Sequence, residues 1–338
     1  MLVELFGRKF DVARPLALAA RRLGWRGSAL SAGGGNGQGS RSAQADHQRE
    51  FTHWNEVARQ ARSGDRLFWL NHPRVAKHYH DKSLVDGLRW LEWIPKTLGR
   101  PARLALDLGC GTGRAAAGVW GAGAASALVG IDLDDSRFES AEELLAAAGG
   151  DIKLVATDIN HLRLEESSYD LIYAIQSFHH FENLEHILAE VRKALTPGGF
   201  FVLDEYVGPA RFQWTNEQLA LTSQLLGLMP RHLRMYRHGI EKLQEGRSTV
   251  AEVINVCPSE AIRSDEIVPL FYKHFQVVRH QNLGGTIQHL LYSGIIQNFP
   301  DDDPAIDHLI DCVDGLERVF IERGILPSDF VLLIGRKS

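Results

Sequence analysis

The chain has 338 residues, 44% of them apolar and 23% charged, a net charge of −5 at neutral pH and an isoelectric point near 6.3. That length suits one large domain or two modest ones, and the acidic balance offers no basic face of the kind nucleic-acid binding requires. Three cysteines, Cys110, Cys257 and Cys312, lie far apart and form no CxxC pair, which excludes a disulfide framework and fits a reducing compartment.

The first 27 residues, "MLVELFGRKFDVARPLALAARRLGWRG", are Arg-rich, but "PLALAA" is too short for a secretory core, and Glu4 and Asp11 interrupt a transit pattern. No run of 18 apolar residues occurs, so no integral membrane segment is expected and the chain reads as cytoplasmic. Residues 28–46 have the Gly/Ser composition of a flexible linker, which makes 1–46 an extension. Residues 47–98 read as a helical cap. In it Leu84, Leu88, Trp90 and Leu91 fall at helical spacing, with Pro95 and Gly99 as breakers.

From residue 102 strands and helices alternate, the pattern of a parallel sheet covered on both faces. Strands are expected at "RLALDL", "SALVGIDL", "IKLVATD", "YDLIYAI" and "FFVLDEY". Between the second and third, residues 134–150 read as a helix, with Ser136 and Glu139 in capping-box spacing and Gly149-Gly150 at its end. Residues 183–199 read as another, with Leu184, Ile187, Leu188, Val191 and Leu195 on one stripe and "PGG" as its stop. The alternation then breaks. Residues 207–270 form a mainly helical insertion, followed by a strand at "FQVVRH", two helices and a last strand at "FVLLIGR".

The segment "LALDLGCGTGRAA" (104–116) carries the chemistry. Its glycines, Gly109, Gly111 and Gly113, suit a strand–loop–helix turn that approaches a ligand closely. A GxGxG loop alone fits any nucleotide, but two acids narrow it. Asp132 follows Gly113 by 19 residues, near the offset of roughly 20 at which a carboxylate meets a ribose. Asp107, two residues before Gly109, would repel a pyrophosphate and hold an ammonium or sulfonium group. Arg114 also stands where a dinucleotide fingerprint requires its third glycine.

With "LDLGCGTG", "GIDL", "TDI", "YDLIYAIQSFHHF" and "LTPGG" in this order, residues 104–206 resemble the core of the class I S-adenosylmethionine-dependent methyltransferases. The resemblance implies an α/β fold: a Rossmann-like doubly wound seven-stranded sheet with its last strand antiparallel, an N-terminal helical cap, and a helical insertion after strand 5. The corresponding parts are a core of 99–206, a lid or substrate insertion of 207–270, and closing strands and helices over 271–338. It implies S-adenosyl-L-methionine as cofactor. Asp107 and the backbone of Gly109, Cys110, Gly111 and Gly113 would hold its methionine end. Asp132 would take the ribose hydroxyls, Leu133, Asp158 and Ile159 would flank the adenine, and the Ala174 carbonyl would meet the amino group. Leu133 and Ile159 read equally well as plain core.

Methyl transfer to oxygen needs an aligned acceptor and a base. His179 and His180, after the fourth strand, are candidates, against the reading that one of them only packs or caps. Glu205, in "DEY" at the end of the fifth strand, is a third, as base, metal ligand or partner to backbone groups. Tyr79, Tyr206, Arg211, Phe212 and Trp214 are candidate acceptor contacts, with lid packing the competing account of the aromatics. Arg231, Arg234 and Arg237 read as a solvated helical face. No metal is assigned, because His78 and His80 do not share a helix face. No Asn/Asp-Pro-Pro-aromatic tetrad follows the fourth strand and Cys257 precedes its proline, which argues against a nucleic-acid substrate. The sequence therefore points to a methyltransferase acting on a small molecule, at a hydroxyl oxygen of a natural product, lipid or sugar. A carbon or nitrogen methyltransferase and a non-catalytic binding protein of the same fold are the alternatives. Aromatics in the cap suit a homodimer.

Overall fold

Seven apolar runs pair into one sheet in the computed structural model, which describes residues 2–5, 8–11, 49, 52–53, 68–133, 135, 138, 141–142 and 152–337. They are β1 (Ala105–Leu108), β2 (Leu128–Asp132), β3 (Ile152–Ala156), β4 (Tyr169–Ile175), β5 (Leu195–Tyr206), β6 (Gln276–Gly284) and β7 (Phe330–Arg336). Their order is 3-2-1-4-5-7-6. The first five pair in parallel, and β7 runs antiparallel to both β5 and β6. This is the Rossmann-like sheet with an antiparallel last strand that the motifs imply.

Every residue of β1 and β2 is buried, as parallel strands covered on both faces must be. The period of two sends Ala105, Leu171, Tyr173, Phe200 and Val202 to one face and Leu106, Leu108, Ile172, Phe201 and Leu203 to the other. The helices are α1 (Pro73–Lys82), α2 (Trp90–Leu98), α3 (Arg114–Gly121), α4 (Leu184–Ala194), α5 (Asn216–Leu228), α6 (Val250–Val256), α7 (Ile267–His274), α8 (Gln288–Tyr292) and α9 (Pro304–Glu322). Residues of α1, α2, α3, α8 and α9 pack on the first face, and those of α4 and α7 on the second.

The helix expected from Leu84 starts only at Trp90. Asp86 and Gly87 take positive φ (51° and 78°) in a turn closed by a Val85–Leu88 bridge, which breaks the apparent helical spacing. Pro95 lies inside α2 rather than ending it, and Gly99 ends the helix in the left-handed conformation at φ 71°. Both α1 and α2 contribute buried side chains to the first core. Trp90 packs on Tyr173 at 5.6 Å between ring centres and Trp93 meets Phe200 edge-on at 5.5 Å. Leu195 likewise opens β5 instead of closing α4, because its backbone pairs with Tyr169.

The 28–46 linker lies outside the described residues, as do Ser136, Glu139, Gly149 and Gly150. Of the intervening helix, Phe138, Ala141 and Glu142 are described and helical. Among the described residues no helix is long and apolar enough to cross a membrane. Because α2 is anchored through Trp93, Trp93→Ala should lower unfolding free energy by about 3–5 kcal/mol in urea titration. A loss below about 1 kcal/mol would mean that α2 lies on the sheet without being part of its core.

Candidate functional site

The parallel strands end together, and their carboxyl tips form one rim. Asp107 stands there on β1, 1% exposed, with Oδ2 buried and no hydrogen-bond partner among the described residues. Burial pushes its pKa up to about 8, the Tyr173 phenol opposing and the charge of Asp132 adding to the shift. An acceptor buried this way lacks a donor or a cation.

The glycine loop after it is wound tightly on β2. The N–H groups of Gly109 and Cys110 both donate to Ile131 O (2.8 and 2.9 Å), and that of Gly113 to Cys110 O (2.8 Å). Gly111 N donates to Asp132 Oδ2 at 2.7 Å, and Leu133 N to Oδ1 at 2.9 Å. The free amides that a phosphate cradle requires are thus largely committed inside the loop, and the group that remains is the Asp107 carboxyl. Gly109, at φ 78°, is required by close approach: a Cβ there would stand 2.5 Å from Ser177 Cβ, because Ser177 Oγ donates to Leu108 O at 2.6 Å.

The remaining residues implied for the cofactor surround this rim. Asp132 closes β2 almost fully buried, and Leu133 beside it is half-buried. Asp158, after β3, accepts from Asn160 N at 2.9 Å and keeps 42% of its side chain exposed. Ile159 is buried in the second core, and Ala174 lies in the middle of that core on β4. Cys110 is buried against Gly130.

The far side of the rim is built from the turn after β4 and the end of β5. Asp204 and Glu205 are neighbours in a strand, so they point to opposite faces. Glu205 is fully buried and accepts from Ser177 N (2.9 Å), Phe178 N (2.6 Å) and Tyr206 N (2.7 Å), with His179 Nδ1 at 2.5 Å from Oε1. Its lone pairs are all engaged in holding the β4 turn, so the acid singled out in the sequence is not open to a substrate proton. His179 is buried as well, with Nε2 3.4 Å from Glu260 Oε1. Burial pulls its pKa down, but the Glu205 and Glu260 carboxylates outweigh that and raise it to about 10. With a carboxylate facing each ring nitrogen, the imidazole is held in place and is not open to a substrate proton. His180 places Nδ1 3.1 Å from Ser259 Oγ.

Asp204, half-buried, accepts from Tyr79 Oη at 2.5 Å and from Gln176 Nε2 at 3.3 Å. Burial pushes its pKa up to about 6, the Tyr79 hydrogen bond opposing and the Glu205 charge adding. Tyr79 is thus turned to the β5 tip. The aromatics form a packed group: Tyr206 meets Phe212 edge-on at 5.1 Å, and Phe212 stacks on Trp214 at 5.1 Å. Arg211 is turned inward on its own insertion, donating to Pro258 O (2.6 Å) and Glu260 O (3.1 Å), so it clamps a loop instead of offering a free guanidinium. Arg231 and Arg234 lie in a short 3-10 turn, not on a helix face, and both pair with Glu241 (3.1 and 2.9 Å). His78 lies 2.7 Å from Asp311, away from His80.

Two residues of this rim were missed in the sequence, Gln176 and Glu260, and of the two acids in "DEY" the sequence favoured Glu205 over Asp204. Strand alternation across "DEY" signals that one acid alone can face the acceptor side, though not which. Glu260 carries no local signal, because its neighbours come from another part of the chain.

A methyltransferase-domain family model matches residues 106–203. Sterol 4-C-methyltransferase of Caenorhabditis elegans is 30% identical over 115 residues, which cover 33% of this chain and 34% of that protein. The 27-O-demethylrifamycin SV methyltransferase of Amycolatopsis mediterranei is 30% identical over 105 residues, covering 30% and 38%. The chain thus spans about a third of the length of the curated relatives it matches. Among solved structures, geranyl diphosphate C-methyltransferase of Streptomyces coelicolor A3(2) aligns with a TM-score of 0.46 at 11% identity, over 74% of this chain and 78% of that one. The Mesorhizobium loti S-adenosylmethionine-dependent methyltransferase aligns with a TM-score of 0.42 at 19% identity, over 70% and 91%. With the glycine loop, the acid at the end of β2 and the 3-2-1-4-5-7-6 sheet, residues 106–203 are the core of a class I S-adenosylmethionine-dependent methyltransferase domain.

Proposed function

We propose that the chain transfers a methyl group from S-adenosylmethionine to a hydroxyl oxygen of a small, ring-bearing molecule. The observation that carries the cofactor half is the buried Oδ2 of Asp107, which has no hydrogen-bond partner among the described residues, beside a loop whose amides are largely bonded already. Those residues fit the cationic methionine end. Asp107 would meet it together with the Ala174 carbonyl and the 109–113 backbone. Asp132 would hold the ribose, and Leu133, Asp158 and Ile159 the adenine. The bound cofactor supplies a methyl group already activated for in-line displacement. The work left to this chain is to align the acceptor and to take its proton.

Asp204 suits the second task. It is half-buried at the rim and fixed by Tyr79 and Gln176. A base near neutrality is what hydroxyl deprotonation requires. Glu205 and His179 would be positioning residues that fix the β4 turn. The aromatic group of Tyr206, Phe212 and Trp214 supports an acceptor with a flat or cyclic body. Carbon methylation is the second reading, supported by the sterol C-methyltransferases among the relatives. In that reading Asp204 would take a proton from carbon.

Incubating the chain with labelled S-adenosylmethionine and a panel of hydroxylated polycyclic, lipid and sugar acceptors should yield an O-methyl resonance by NMR. A C-methyl product would replace the oxygen reading with the carbon one. Asp204→Asn should lower kcat about 100-fold or more while leaving S-adenosylhomocysteine affinity intact. The acid limb of the wild-type pH profile, falling below about pH 6, should vanish in that variant. An unchanged kcat would remove Asp204 as the base.

Asp107 has a consequence that needs no substrate. Its folded pKa of about 8 lies above the ordinary 3.8, so ionisation costs stability progressively as pH rises from about 4 to 8. Without ligand, Asp107→Asn should melt above the wild type at pH 8, with the gap closing near pH 4. A variant that melts lower at pH 8 would contradict the burial of an unmatched carboxyl.

A further inference from the structure

The far side of the rim carries more than the proposed transfer uses. His179 and His180, in the turn after β4, meet Glu260, in the insertion, with one ligand atom of each lying within 4.8 Å of the others. His179 has the arrangement of a metal-bound histidine. One ring nitrogen, Nδ1, is fixed by the buried carboxylate Glu205, and the other, Nε2, faces Glu260. The Nε2–Oε1 separation is 3.4 Å. A charge-assisted hydrogen bond runs about 2.7–2.9 Å, whereas two donors on one tetrahedral ion with bonds of about 2.0 Å stand about 3.3 Å apart.

The cluster is also held in place without an ion. Arg211 binds the carbonyls of Pro258 and Glu260, Ile262 N donates to His179 O at 3.1 Å, and Ser259 Oγ meets His180 Nδ1. That leaves Nε2 as the ligand atom of His180. Each donor therefore has a partner behind it that fixes its direction, which a preorganised ion site requires.

We propose that His179 Nε2, His180 Nε2 and Glu260 bind one divalent transition-metal cation of the Zn2+ class. Two imidazoles and a carboxylate suit a borderline cation, and three protein ligands leave a coordination position open. His53 and Cys257 flank Glu260 as a second group of three. The buried carboxylate behind His179 favours the histidine pair over that thiol. The His179 ring lies 6.0 Å from Tyr206, at the aromatic group. The open position would therefore serve an acceptor oxygen there, a role that rests on the transferase reading; ion binding itself does not.

The test uses the full chain, stripped with chelator, loaded with Zn2+ or Co2+ and desalted. One ion per chain is expected, and the Co2+ form should show visible d–d bands without a thiolate charge-transfer band. Glu260→Gln and His180→Ala should each lose the ion. Glu205→Gln should weaken Zn2+ binding about 10–100-fold. S-adenosylhomocysteine binding by calorimetry should survive in Glu260→Gln and His180→Ala, which separates loss of the ion from loss of fold or of cofactor. Wild-type chain that retains no ion would overturn the site, as would variants that hold Zn2+ as tightly as wild type. A thiolate band in the wild-type Co2+ spectrum, readable even where a variant does not fold, would overturn this ligand set in favour of Cys257.

Discussion

A buried carboxyl group, one of whose oxygens has no hydrogen-bond partner among the described residues, is the costly feature around which this domain is arranged. Asp107 holds that position at the tip of β1, enclosed by Tyr173 and the loop that follows. The fold could relieve it by turning loop amides toward it. Instead those amides bond to Ile131 and Asp132 of the neighbouring strand. The carboxyl is thus left without a loop donor in the ligand-free fold, and a bound cation favours its ionised form, which is how a site is made selective for a positively charged nucleoside over a diphosphate.

The pleat of β5 divides the opposite side of the rim in the same spirit. Asp204 and Glu205 are chemically alike and adjacent, yet the strand turns one toward Tyr79 and Gln176 and the other into the second core. Glu205 is saturated by three amides and a histidine, so it acts as a fastener for the β4 turn. Asp204, less enclosed, keeps titratable character. Environment assigns the two roles, as it does wherever paired carboxyl groups differ in burial.

Much of this was legible in the amino-acid order. Strands buried on both faces are written as continuous apolar runs, so β1, β2, β4 and β7 could be located, and the Asp107–glycine–Asp132 spacing marked the cofactor side. Legibility failed where a property comes from distant residues. The ring of His179 reads as a base until Glu205 and Glu260 close on both of its nitrogens. Arg211 reads as a substrate contact until its guanidinium reaches the 258–260 carbonyls. At Asp86-Gly87 a local turn signal outweighed helical spacing, which moved the start of α2 to Trp90.

The charge argument at Asp107 can be tested directly by a chemical double-mutant cycle. S-adenosylhomocysteine and its analogue lacking the α-amino group would be titrated calorimetrically into wild type and Asp107→Asn. A desolvated ion pair predicts that removing the amino group costs about 2–5 kcal/mol in wild type and far less in the variant, so that the two losses do not add. Losses that add fully would mean that the carboxyl at the tip of β1 does not meet the cation, and the account of the site built on it would fail.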